Sequence, residues 1–212
     1  MKSDIAKPDP LMLLNSEFLE KLINKYQNNE TIKDFKGIDY KTGGIAIIGQ
    51  DPGITTQSTV DTVLMLDNEK SNLFKYVKKN ILDPLDVSIN AIVAINLIES
   101  KFTTSLRNIA KKEKVSFYLL VSKIAQEYFS LFEMKLSKYK PKYLITLGKP
   151  VFYFLLSKSN AKSLELKKVF ARKIPIAINQ ERYILIPCVH YNSRNIEIYK
   201  NQKDKLSNLK LS

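Results

Sequence analysis

The chain carries one cysteine, Cys188, and one histidine, His190, in 212 residues. A single cysteine allows no internal disulfide, no four-thiolate zinc site and no iron–sulfur cluster held by this chain alone, so neither metal nor cofactor is expected. Cys188 reads as a small buried residue in a strand. No apolar stretch approaches the roughly 20 residues that span a bilayer, which leaves no membrane role. At the amino end, Met1-Lys2-Ser3-Asp4 places an acid where a signal peptide has its apolar core, so a cytoplasmic, intracellular protein is expected. Neither Gly-x-x-x-x-Gly-Lys-Ser/Thr nor Gly-x-Gly-x-x-Gly occurs, which removes the P-loop and dinucleotide-binding classes. With no repeat, low-complexity tract or Pro/Gly-rich linker, and 44% hydrophobic residues, one monomeric domain over residues 1–212 is expected.

Acidic residues are scarce in one half only. Residues 1–110 hold 13 Lys/Arg against 14 Asp/Glu, whereas residues 111–212 hold 21 against 7, so the formal charge of +13 lies wholly in the second half. Residues 135–173 contain eleven basic side chains and one acid, Glu165. Such asymmetry suits a polyanion, because neutralised phosphates release counterions. A lysine-rich ordinary surface would look the same.

Four short apolar runs stand out: Ile45-Ala46-Ile47-Ile48 before Gly49, Ala91-Ile92-Val93-Ala94-Ile95, Tyr143-Leu144-Ile145-Thr146-Leu147 before Gly148, and residues 183–189. Continuous apolar strands are what a parallel sheet covered on both faces requires. Helical spacing predicts a helix around residues 11–28, and the gaps between strands accommodate helices over about 67–80, 102–136 and 150–157, with a last one over about 195–209. The expected fold is three-layer α/β/α with a central four-stranded, mainly parallel sheet. All four strands then end along one edge, bringing Asp51, Asn96 and His190 together although about 140 residues separate the first from the last.

At that edge, Gly49-Gln50-Asp51-Pro52-Gly53 favours a sharp turn that fixes a carboxylate. Asp51 can orient a water, accept its proton or stabilise positive charge developing on a sugar; Asp-Pro-Gly is also a common turn tripeptide. Asn96 offers an amide donor and acceptor side by side, the pattern that grips a nucleobase edge. His190, followed by Tyr191-Asn192-Ser193-Arg194, can donate a hydrogen bond to an oxygen that gains charge.

In order and spacing, Gly49-Gln50-Asp51-Pro52-Gly53, Ile95-Asn96-Leu97 and His190-Tyr191-Asn192-Ser193 resemble the motifs of the uracil-DNA glycosylase superfamily, over about residues 40–205. The resemblance implies a DNA partner and excision of uracil or a related damaged base, flipped into the cleft. Asp51 would position or activate the attacking water and His190 would stabilise the departing base. Gly49, Gln50 (mainly through its backbone), Pro52 and Gly53 would line the base pocket, with Asn96 reading the base edge. Ser193 and Asn192 would contact phosphate, and Arg194 or Ile196 would fill the gap in the base stack. The chain departs from the pattern in three places. Gly53 stands where strictly uracil-selective members have a tyrosine, no aromatic residue falls between Asp51 and Phe74, and His190-Tyr191-Asn192 replaces His-Pro-Ser. A nucleic-acid binder without activity, or a hydrolase of free nucleosides, would share many of these features, though the second gives no reason for the basic half.

Overall fold

The computed structural model describes residues 14–52, 62–161, 164–191 and 196–211. Asn15 caps the first helix, α1 (Ser16–Tyr26), accepting the Phe18 N–H at 2.8 Å; of the helix expected around 11–28, residues 11–13 lie outside the described residues, and Gln27 and Asn28 are in strand. Two short strands follow, β1 (Gln27–Thr31) and β2 (Phe35–Lys36), and then the fully buried β3 (Ile45–Gly49). The helix expected over 67–80 begins only at Ser71, whose hydroxyl caps α2 (Asn72–Val77); a wider π turn at Lys78–Leu82 carries it into α3 (Asp83–Leu85). Next come β4 (Ile92–Asn96) and β5 (Ser100–Phe102). The single helix expected over 102–136 is three: α4 (Leu106–Lys112), α5 (Phe117–Glu127) and α6 (Phe129–Tyr139). Lys114 takes a left-handed φ of 55°, Ser116 starts α5 by accepting the Leu119 N–H, and Tyr128 leaves helical geometry between α5 and α6. The remainder is β6 (Tyr143–Leu147), α7 (Lys149–Ser157), α8 (Leu166–Val169), β7 (Ile174–Ile178), β8 (Glu181–Cys188) and α9 (Ile196–Ser207).

The sheet order is β2-β4-β3-β6-β8-β7. The four expected strands form its parallel centre, but the sheet has six strands, because β2 and β7 add antiparallel edges. The β2 edge has no apolar run to mark it, and the run of the β7 edge, Ile174-Pro175-Ile176-Ala177-Ile178, is interrupted by a proline. β2 is two residues long, and β7 alternates buried isoleucines with the exposed Pro175, a residue tolerated where no further strand pairs. β1 and β5 pair separately.

Alternate residues of the central strands serve two layers. Ile48, Val93, Ile95, Leu144 and Leu185 pack with α1, α4, α5, α6 and α7, while Ile47, Ala94, Ile145, Ile186 and Cys188 pack with α2, α3 and α9. Burial on both faces makes the runs continuous, and the fold is a three-layer α/β/α sandwich. Cys188 is buried in β8, as expected, and burial pushes its thiol pKa well up. None of the described helices is long and apolar enough to cross a membrane.

Candidate functional site

Parallel pairing aligns Gly49 with Asn96, Ile48 with Thr146 and Leu147 with Cys188, so the loops after β3, β6 and β8 leave the sheet at one edge. There they border a cleft of about 1220 Å³ that brings Asp51 and His190 together. Residues 64–73 and the amino ends of α2, α4, α5 and α7 supply the other walls. Helix amino termini present partial positive charge, and the exposed Lys70, Arg107 and Lys149 add three cations. Asp51 is the one carboxylate among the described lining residues.

The Asp51 loop is fixed by backbone pairing that outlasts the strands. Leu97 N–H donates to the Gly49 carbonyl and Ile98 N–H to the Gln50 carbonyl, both at 2.9 Å. The Gln50 side-chain amide donates to Asp51 Oδ2. The resemblance assigned Gln50 a role through its backbone; here its carbonyl holds the loop while its side chain orients the carboxylate. Gly49 is required by close approach, since a Cβ there would collide with the Asn96 side-chain oxygen and come within 2.9 Å of Leu64 Cδ2.

His190 is held from the opposite layer. Val189 N–H donates to Gln202 Oε1 at 2.8 Å, and the Val189 carbonyl accepts from the Tyr76 hydroxyl. Gln202, fully buried on α9, also donates to the Asn80 carbonyl at 3.0 Å and to Tyr76 Oη at 3.3 Å. Tyr199 Oη lies 3.0 Å from the His190 carbonyl and 2.7 Å from that of Tyr191. The Tyr191 ring lies 4.7 Å from the imidazole, and at Gly148 a Cβ would meet His190 Cβ at 3.1 Å. Burial, and secondarily the Arg107 guanidinium, lower the His190 pKa below its usual 6.5. The imidazole is therefore neutral at neutral pH and able to donate one hydrogen bond without carrying charge.

Asn96 ends β4 beside Gly49 but does not line the cleft. It is 1% exposed, and neither its amide nitrogen nor its oxygen has a hydrogen-bond partner. A Cβ at Gly49 would approach both Asn96 and Leu64; Leu64 and Met65 hold left-handed φ values of 59° and 51° and line the cleft, with no aromatic side chain among the described residues of that part of the lining. Two unsatisfied buried amide groups are costly, and such a cost is relieved when a ligand supplies the missing donor and acceptor. Gln50, Pro52 and Gly49 line the cleft; Gly53, Asn192, Ser193 and Arg194 lie outside the described residues.

Arg107, Phe117, Tyr118 and Lys149 also line the cleft, and none was singled out from the sequence. Lys149 was findable, because it follows a strand ending at the same edge. Arg107 and Tyr118 depend on how α4 and α5 pack. Among the described basic residues of 135–173, Lys149 alone lines the cleft. Lys135 is largely buried between Asp34 and Glu99, and Lys142 lies over the Tyr143 ring at the opposite end of β6. The dense run is thus dispersed by the fold. Among the described residues no three of His, Cys, Asp and Glu cluster as metal ligands. No protein-family model matches the chain, and none of the curated proteins is similar to it.

Proposed function

We propose that the cleft hydrolyses the N-glycosidic bond of a base flipped out of DNA, uracil or a related damaged base. The observation that carries this reading is the placement of a fixed carboxylate, Asp51, and a neutral histidine, His190, in one cleft bordered by cations and helix amino termini. Breaking the bond between C1′ and the base nitrogen leaves the electron pair on the base and positive charge on the sugar. Asp51 stabilises that charge and orients a water; the water oxygen bonds C1′ and its proton passes to the carboxylate. His190 donates a hydrogen bond to the base oxygen on which negative charge collects, and being neutral it does so without giving up a proton. Asn96, buried beside Gly49 with both amide atoms unpartnered, supplies the donor–acceptor pair for the base edge.

Incubating the protein with uracil-containing oligonucleotides and cleaving abasic sites with alkali tests the reading. Strand cleavage at the uracil is expected, and its absence with every damaged base tried would overturn it. The burial of Asn96 outside the cleft lining favours a second reading, a binding protein that keeps the fold without excision; retained DNA affinity with no abasic sites would select it.

A further inference from the structure

We infer that the α4–α5 rim of the cleft is a stacking surface for an unpaired DNA strand. The inference rests on reading the cleft as a nucleic-acid site and adds the form of nucleic acid it accepts. Tyr118, the second residue of α5, is 51% exposed, and Tyr191 is 38% exposed; both line the cleft. Tyr118 packs edge-on against Phe117, and Tyr191 packs against His190 and Tyr76, yet each leaves part of its ring open to the cleft. Arg107, which also lines the cleft, holds its guanidinium 4.7 Å from the Phe117 ring centroid, which keeps a planar cation beside Tyr118. Lys70 and Lys149 complete a set of cations suited to phosphates. The cleft, at about 1220 Å³, exceeds the roughly 300–1,000 Å³ of small-molecule sites and leaves room for nucleotides flanking the one being acted on.

This pairing of rings with cations selects between forms of DNA. Phosphates attract the cations in either form, but a duplex hides its base faces in its own stack. Only an unpaired strand can lay a base on Tyr118 or Tyr191, a contact that tolerates any base.

Fluorescence anisotropy with the full chain, a labelled 12-nucleotide thymidine strand and a duplex of equal length reads this directly, and thymine-only strands make binding independent of excision. The single strand should bind at least about tenfold more tightly than the duplex. Tyr118→Ala should weaken the single strand about tenfold and leave the duplex within about twofold, with Tyr118→Phe retaining wild-type affinity because the ring is kept. Arg107→Gln should lower the slope of log affinity against log salt by about one on both forms. Equal loss on both forms, or no loss, in Tyr118→Ala would overturn the stacking surface while leaving base excision standing. Binding to neither form would overturn both readings. Thermal unfolding of Tyr118→Ala at the wild-type temperature confirms that the exposed side chain was removed without damage to the fold.

Discussion

The two loops that carry Asp51 and His190 leave the same sheet edge but are anchored by different means. Backbone pairing with the chain beyond β4 fixes the Asp51 loop, so its position is set within the sheet itself. Side chains from α2 and α9 fix the His190 loop, gripping Val189, His190 and Tyr191 through Tyr76, Gln202 and Tyr199. A backbone anchor tolerates changes in side chain except where a strand approaches too closely, as at Gly49. A side-chain anchor fails whenever one member of its network is removed. The carboxylate should therefore be sensitive to crowding and the imidazole to deletions far away in sequence.

The largest effect expected on the His190 side is that of His190→Ala, which removes the hydrogen-bond donor that the proposed reaction assigns to the leaving base. Single-turnover excision should fall about a hundredfold or more. Gln202→Leu comes next. It orphans the Val189 N–H and the Asn80 carbonyl, which should cost about 2–4 kcal/mol and lower Tm by roughly 5–15 °C. Excision at a temperature where the variant is folded should fall about tenfold, and an unchanged rate would mean that the network stabilises the fold without positioning the histidine. On the Asp51 side, Gly49→Ala drives a methyl group into the Asn96 amide and should cost about 1–3 kcal/mol, read by denaturant unfolding. Tolerance of alanine there would break the claim that close approach sets this loop.

A smaller effect concerns charge. With one histidine in the chain, an NMR titration reports His190 without ambiguity, and its midpoint should lie below 6.5. Arg107→Gln should raise that midpoint only part of the way, because burial is the larger cause. The folded state holds the imidazole neutral at pH values where an unfolded chain would protonate it. The associated stability is therefore complete above about pH 6.5 and is lost as the pH falls from there through the folded midpoint; His190→Gln should remove that dependence.

Sequence patterning made the centre of the fold legible because strands buried on both faces are written as unbroken apolar runs. The edge strands were not legible: β2 is too short to show a period, and β7 alternates around a proline. Asp51 and His190 could be paired from topology alone, since strand ends in a parallel sheet share an edge. What the sequence could not convey was depth. Asn96 ends its strand at the shared edge but is 1% exposed and does not line the cleft, and strand-end position alone does not reveal that burial. Charge was the least legible property. The basic run is contiguous in sequence, yet helices and strand reversals send Lys135 into a buried ion pair and Lys142 to the far end of the sheet, leaving Lys149 at the cleft.

Asp51→Asn keeps the shape of the side chain and removes its charge, so it isolates the step on which the account depends. Single-turnover excision of uracil, measured beside DNA affinity on the same preparation, should fall at least about a hundredfold while affinity stays within a few-fold of wild type. Excision at the wild-type rate would contradict the account, reducing Gly49-Gln50-Asp51-Pro52 to a turn and leaving the cleft without its carboxylate chemistry.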